Sequence, residues 1–141
     1  MAKKTGADKI AGKIPALVAA AKEARKKAYC PYSHYPVGAA LIAGSGKVYT
    51  GCNIENASFG LSNCAERTAI FKAVSAGERE IKALCVAADS ASPCGACRQV
   101  IVEFAKKDAV MVYADCRGGK LTYTTAGELL PLAFDPKDAG L

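Results

Sequence analysis

The sequence predicts an α/β fold of three layers, in which a mixed five-stranded sheet carries helices on both faces. Helix-like and strand-like patterns follow one another in the order α, β, β, α, β, α, β, β, α. A strand–helix–strand unit requires a crossover, which places its helix on one face of the sheet. The length of 141 residues suits one compact domain. We therefore expect residues 1–141 to form a single domain.

The first half of the chain predicts one helix, one β-hairpin and a polar loop. Apolar residues recur at helical spacing over 14–21, which indicates a helix. Gly44-Ser45-Gly46 separates two runs of strand length, which is typical of a hairpin turn. In chain order the predicted elements are a helix over 14–28, a loop over 29–36, strands over 37–43 and 47–53, and a loop over 55–63.

The second half predicts two helices that begin at polar caps, with buried strands between and after them. Asn63 is a capping residue for a helix that Gly77 can end. Ser92 followed by Pro93 predicts another helix start, with proline at the first helical position. In chain order the predicted elements are a helix over 64–77, a strand over 81–88, a helix over 93–105, strands over 110–114 and 120–124 around a turn at 117–119, and a short helix over 125–130.

The net charge of +6 is concentrated near the N-terminus. Residues 1–28 contain eight Lys or Arg and two Asp or Glu, whereas residues 29–141 contain eleven of each. The body of the protein therefore has no basic surplus with which to follow a phosphate backbone. We interpret the basic segment as a solvated helix face and expect no nucleic-acid partner.

The cysteine content indicates a reducing compartment. Seven cysteines, an odd number, are atypical of a small disulfide-stabilised secreted domain and favour thiols that bind metal or react. The longest apolar stretch, 14–21, contains a proline and is far shorter than the roughly 20 residues needed to cross a bilayer. Lysines precede it as in a signal peptide, but charged residues continue its pattern as an amphipathic helix. We expect a cytosolic protein with no membrane span.

Three cysteines have the arrangement of a catalytic metal site. Cys94 and Cys97 form a C-x-x-C pair at a predicted helix start, where side chains three residues apart share one face. Cys64 begins another predicted helix, so three thiolates converge if the two helix N-termini face one point. Three protein ligands leave one position of a zinc ion open, as in catalytic sites. Two alternatives are open: a redox dithiol, and a structural metal site with Cys52 as the fourth ligand.

Two charged residues accompany Cys64 on its helix. Glu66 is placed to move protons for a water at the open metal position, although Asn63 and Glu66 also fit a capping box. The charges of three thiolates and one Zn²⁺ sum to −1. A zinc-bound water is therefore less acidic than it would be at a site with neutral ligands. Arg67 could offset this charge by donating to the thiolates, together with two helix N-termini. A solvated surface arginine is the alternative.

These residues resemble the small cytidine deaminases, a family of three-cysteine zinc enzymes. The zinc motif at 64–69 (CAERTA) and 93–99 (PCGACRQ) is specific to deaminases, and the segment at 51–56 (GCNIEN) is specific to the nucleoside branch. The resemblance covers about 29–134. Its further matches are 31–33 (PYS), 37–41 (VGAAL) and 129–131 (LLP).

The resemblance implies the cytidine-deaminase-like version of the predicted fold, with one Zn²⁺ per subunit. It implies hydrolytic deamination of cytidine and 2′-deoxycytidine to uridine and 2′-deoxyuridine, with release of ammonia, in pyrimidine salvage. Glu66 would accept a proton from a zinc-activated water that attacks C4 of cytosine, and would then protonate N3 and the amino group.

The resemblance also implies which groups surround the nucleoside. Asn53 and Glu55 would hydrogen-bond the ribose hydroxyls, and the ring of Tyr35 would line the base pocket. The backbone N–H of Ala65 would bind the pyrimidine carbonyl. The backbone carbonyl of Ser92 would receive the departing ammonia.

Other aromatic positions bear on assembly. Phe134 would reach the active site of a neighbouring subunit, because the family forms homotetramers with shared sites. The family more often has Phe where this chain has Tyr35, and often Tyr where it has Phe59 near a subunit contact; both exchanges keep the ring. His34, the only histidine, is interpreted as a surface or pocket-edge residue rather than a ligand.

Three rival functions are open at this point. A deaminase of a nucleoside-like antibiotic such as blasticidin S has a similar motif, but Asn53, Glu55 and Arg67 argue against it. Polynucleotide deaminases resemble the chain less, since they typically use histidine as the first ligand. A small zinc-stabilised binding module would have four protein ligands and no catalysis.

Overall fold

The computed structural model describes residue 3 and residues 5–141. Within that part, five helices and five strands follow one another, with short 3₁₀ turns at Phe59–Leu61 and Pro136–Ala139. The elements are α1 (Gly6–Ala11), α2 (Ile14–Arg25), β1 (Gly38–Ala43), β2 (Val48–Cys52), α3 (Ala65–Ser75), β3 (Ile81–Ala88), α4 (Gly95–Phe104), β4 (Ala105–Asp115), β5 (Leu121–Thr125) and α5 (Ala126–Leu129).

The five strands form one mixed sheet in the order β2-β1-β3-β4-β5. Strands β3 and β4 are parallel, and the other neighbouring pairs are antiparallel. Helix α4 is the crossover that connects the parallel pair, as a strand–helix–strand unit requires. The predicted fold class is confirmed. No helix in the described ranges is long and apolar enough to cross a membrane.

Two clusters of buried side chains lie on opposite faces of the sheet, because alternate residues of a strand point to opposite sides. On one face, Leu41, Leu84 and Met111 pack against α3, α4 and α5. On the other face, Ile42 and Val112 pack against α2. Strand β1 is buried along its whole length, since it receives helices on both sides. The protein therefore has three layers, with α3 and α4 together on one face.

The elements differ from the prediction by more than two residues in three places. Helix α1 was not predicted; a capping box between Thr5 and Asp8 begins it, and its only core contact is a partial one through Ile10. Helix α2 ends at Arg25 rather than at residue 28. Strand β4 begins at Ala105 rather than at residue 110, directly after α4. Its residues 106–108 are polar and exposed, so the start of the strand lacks the apolar run that indicates a buried strand.

Gly51 allows α3 to lie directly against β2. A Cβ atom at this position would lie 2.5 Å from the Ala69 nitrogen and 2.7 Å from the Ala65 oxygen, both of which are backbone atoms. Because α3 cannot yield locally to such contacts, we expect Gly51→Ala to lower the free energy of unfolding by about 3 kcal/mol. Urea denaturation measures this change. Gly6→Ala is the matched control, since its Cβ would meet nothing within 4 Å, and equal effects of the two substitutions would contradict the packing argument.

Candidate active site

The two helix starts place three cysteines around one point. Cys64 is the N-cap of α3, Cys94 is the N-cap of α4, and Cys97 lies in the first turn of α4. Their three sulfur atoms all lie within 4.8 Å of one another. Neither Asn63 nor Ser92 is the N-cap that the sequence predicts, because the chain enters each helix one or two residues later; the Asn63 side chain donates to Thr68 instead.

The sulfur cluster fits a zinc ion. The Sγ atoms of Cys64 and Cys94 are 3.8 Å apart. Sulfurs at about 2.3 Å from a tetrahedral zinc would be separated by about 3.8 Å. Among the described residues, no other His, Cys, Asp or Glu offers a ligand atom to this group. Three thiolates with one position left open are the donor set of a catalytic zinc site.

The alternative with a fourth cysteine ligand finds no support in this geometry. Cys52 is outside the cluster, and its thiol donates to the Lys27 carbonyl oxygen at 3.4 Å. Cys85 is fully buried in the core, where desolvation raises its pKa to about 12. His34 is exposed in the loop before β1 and likewise lies outside the cluster.

Arg67 supplies positive charge next to the thiolates. Its Nη2 atom donates to the Cys64 sulfur at 3.3 Å. A hydrogen bond from the Cys97 thiol, followed by the one from Arg67, lowers the pKa of Cys64 to about 5. The hydrogen bond to Cys64, and then burial, raises the pKa of Cys97. The N-termini of α3 and α4 add partial positive charge at the same place, which acts with Arg67 to favour an anionic sulfur at Cys64.

Glu66 is the one buried charged residue in the described part of the chain. It is 4% exposed and lies in the first turn of α3, beside Cys64. Burial is the main cause that raises the pKa of its carboxyl group, and the neighbouring Cys64 charge acts in the same direction. A raised carboxyl pKa brings the group closer to the pH at which a general acid–base catalyst works best near neutrality.

A cavity of about 290 Å³ opens onto the cysteine cluster and Glu66. The carboxyl end of β3 and the start of α3 do not form it alone; the loops before β1, after β2 and before α4 complete its walls. Of the residues singled out in the sequence, the cavity is lined by Tyr35, Asn53, Glu55, Cys64, Ala65, Glu66, Ser92 and Cys94.

Phe134 is the one residue with an expected substrate contact that does not line this cavity. It is 61% exposed and lines a separate groove between α4 and the C-terminal segment. Its backbone carbonyl accepts a hydrogen bond from Gln99 at 3.1 Å. Within one subunit, therefore, Phe134 is not part of the cavity.

Asn53 and Glu55 hold the loop before β1 through hydrogen bonds to its backbone. The side-chain oxygen of Asn53 accepts from the Val37 backbone N–H at 2.9 Å. Its side-chain amide nitrogen donates to the Tyr35 backbone carbonyl oxygen at 2.8 Å. The Glu55 carboxylate accepts from the N–H groups of residues 32–33 at 3.1 Å each. A side-chain hydrogen bond from Ser33, followed by these backbone bonds, lowers the pKa of the Glu55 carboxyl group. Asn53 and Glu55 thus hold the loop that forms one wall of the cavity, and their own side chains also line the cavity.

Arg98 is a site residue to which the sequence assigned no role. Its guanidinium donates to the Pro93 oxygen at 2.9 Å, to the Leu129 oxygen at 2.9 Å and to the Ser92 hydroxyl at 3.1 Å. These bonds fix the turn that carries Cys94. Its position next to Cys97 in the C-x-x-C motif was the available signal, but its partners become adjacent only in the folded chain.

Comparison with known proteins agrees with this geometry. The model of the cytidine and deoxycytidylate deaminase zinc-binding region matches residues 13–113. A cytidine deaminase of Sporosarcina psychrophila is 53% identical over 128 residues, which are 89% of this chain and 93% of that protein. A cytidine deaminase of Halalkalibacterium halodurans is 50% identical over 125 residues, covering 86% of this chain and 94% of that protein.

Solved structures give the same result. The crystal structure of cytidine deaminase from Burkholderia pseudomallei superposes with a TM-score of 0.79 at 50% identity, covering 85% of this chain and 98% of that one. The cytidine deaminase of Mycobacterium tuberculosis gives a TM-score of 0.75 at 35% identity, covering 86% and 97%. Matched in sequence, in fold and in its zinc-binding cysteines, the chain belongs to the cytidine and deoxycytidylate deaminase family.

Proposed function

We propose that the protein hydrolyses cytidine and 2′-deoxycytidine to uridine and 2′-deoxyuridine, releases ammonia, and serves pyrimidine salvage. The observation that carries this proposal is the buried Glu66 beside three converging thiols at one end of a cavity. The cavity volume of about 290 Å³ suits a small molecule such as a nucleoside. The relatives named cytidine deaminase give the proposal its substrate class.

In this proposal, Cys64, Cys94 and Cys97 hold a zinc ion, which when bound supplies Lewis-acid activation of water. Glu66 accepts a proton from the water that attacks C4 of the cytosine ring. The same carboxyl group delivers protons to N3 and to the departing amino group, so that ammonia rather than an amide anion leaves. Arg67 compensates the thiolate charge, in keeping with its 3.3 Å hydrogen bond to Cys64.

The groups lining the cavity provide the substrate contacts. We assign the ribose hydroxyls to Asn53 and Glu55, which keep free hydrogen-bonding capacity beyond their loop contacts. Ala65 is the first residue of α3, where backbone N–H groups have no partner within the helix. We assign its N–H as the donor to the pyrimidine carbonyl. The carbonyl of Ser92 receives the ammonia, and the ring of Tyr35 bounds the base.

The test is an ultraviolet assay of cytidine and deoxycytidine conversion by the zinc-loaded protein, with and without a chelator. We expect turnover of both nucleosides, and its loss on chelation, because the three thiols are the only metal-binding cluster of the described residues. Blasticidin S and a single-stranded oligonucleotide containing cytosine serve as comparison substrates. Faster turnover of either comparison substrate than of cytidine would overturn the proposal.

We also propose a cytosolic homotetramer with shared active sites and no nucleic-acid partner. Large apolar side chains lie exposed on the single subunit, which supports burial by other copies. The most exposed of these are Phe59, Leu61, Leu132, Phe134 and Leu141. The seven free thiols suit a reducing compartment. Sedimentation equilibrium at micromolar concentration tests the assembly, and a mass of one subunit would exclude it.

A further inference from the structure

Two loops face each other across the cavity, and a tyrosine hydroxyl connects them. The first, loop 31–37, precedes β1; the second, loop 89–92, follows β3. The Tyr35 hydroxyl donates to the Ser90 carbonyl oxygen at 2.9 Å and accepts from the Ser90 N–H at 2.9 Å. A phenol that is both donor and acceptor to one residue fixes the separation and the orientation of that residue. We call this pair of hydrogen bonds the Tyr35–Ser90 bridge.

Arg25 makes a second connection between the same two loops. Its Nε atom donates to the Pro36 oxygen at 3.0 Å, and its Nη2 atom donates to the Asp89 carboxylate at 2.7 Å. The Arg25 side chain is only 24% exposed, so water competes less for these bonds than at an open surface. Arg117 approaches the other Asp89 oxygen at 3.7 Å. Two consecutive residues of one loop are thus joined to two consecutive residues of the other.

The second loop leads directly to the groups that act on the substrate in the proposed function. Ser92, whose carbonyl is assigned to the departing ammonia, is two residues beyond Ser90. Cys94 is two residues further on, at the N-cap of α4. Displacement of Ser90 therefore moves the Ser92 carbonyl relative to the bound base. Small misplacements of this kind are costly in rate, because catalysis depends on reacting groups being held in position.

We propose that Tyr35 is a positioning residue, whose hydroxyl holds loop 89–92 against loop 31–37 so that the Ser92 carbonyl is placed for the reaction. This inference rests on the proposed deamination for its kinetic consequence. It assigns the hydroxyl a task that a phenylalanine ring at the same position cannot perform. The bridge is therefore a property of this chain, beyond the ring contact with the base.

The test is Tyr35→Phe in the zinc-loaded protein. We expect the Ser90 amide to exchange with solvent about tenfold faster, because the hydroxyl is its hydrogen-bond acceptor. We expect kcat for cytidine to fall about fivefold, with a smaller change in KM, since the ring remains and the carbonyl is displaced. Tyr123→Phe is the matched control: this tyrosine is 57% exposed on β5, and its hydroxyl has no partner among the described residues.

The outcomes separate the bridge from simpler roles. Unchanged exchange at Ser90, an unchanged kcat, or a change confined to KM would each overturn the proposal. Arg25→Lys gives a second measurement, since a lysine cannot donate to Pro36 and Asp89 in the same fork; we expect faster Ser90 exchange and a lower kcat there as well. Amide exchange needs no substrate. Failure of the wild-type protein to deaminate cytidine would therefore refute the proposed function while leaving the bridge measurable.

Discussion

Glu66→Gln should lower kcat/KM for cytidine about 10⁴-fold, which is the upper end of what proton transfer by a positioned side chain contributes. The upper end is expected because one carboxyl group serves several successive transfers in the proposed reaction. Glutamine has nearly the same shape and fills the same buried position, 4% exposed, on α3. Unlike a carboxyl group, the glutamine amide cannot accept or release a proton near neutral pH. Steady-state kinetics of the purified variant measure the effect.

The fold and the metal site should survive this substitution, because Glu66 is outside the group of sulfur ligands. Zinc content and the unfolding temperature are therefore measured on the same samples. Glu23→Gln is the control: Glu23 is exposed on α2, on the opposite face of the sheet, and pairs with Lys26 at 2.6 Å. A zinc-loaded, folded Glu66→Gln enzyme that deaminates at the wild-type rate would show that another group carries the protons.

The sequence predicted the core elements well because their burial is periodic. The residues of α2 that recur at helical spacing, such as Leu17 and Ala21, are buried against the sheet. The run of β3, which is apolar except for the exposed Lys82, is buried along nearly its whole length. The start of β4 escaped prediction because residues 106–108 are exposed and lie in an irregularity of the strand register, between the Ile81–Ala105 and Ala83–Val110 pairs. An exposed and irregular strand start leaves no mark in the hydropathy pattern.

The contacts of the site likewise fall into two groups: those that local sequence patterns predict, and those between residues far apart in the chain. Cys94 and Cys97 are three residues apart, so helix geometry alone predicts that they share a face. Cys64 is thirty residues away, and its approach to Cys94 depends on α3 and α4 lying on one face of the sheet. Local patterns also could not predict that Tyr35 contacts Ser90, fifty-five residues later in the chain. Such contacts are created by topology rather than by spacing.

Cys94→Ala should weaken zinc binding at least about 100-fold and abolish deamination. Four-ligand zinc sites bind with apparent free energies of about 10–16 kcal/mol, so each ligand accounts for roughly 3 kcal/mol or more. Cys94 is the exposed member of the cluster, whereas Cys97 is fully buried. Removal of the Cys94 sulfur therefore leaves no cavity in the core, and its effect acts through the metal. Zinc content after dialysis against a chelating buffer measures the loss.

The same variant separates a catalytic zinc site from a structural one. The two buried clusters that hold the sheet to its helices include neither Cys64 nor Cys94, so we expect the fold to persist without the ion. We expect Cys94→Ala to keep the far-ultraviolet circular dichroism of the wild type while it loses the rise in unfolding temperature that added zinc gives. A zinc-stabilised module would instead unfold with its metal. Cys52→Ser is the control and should keep both zinc and activity, because its sulfur contacts Lys27 outside the cluster; loss of zinc there would restore the four-cysteine alternative.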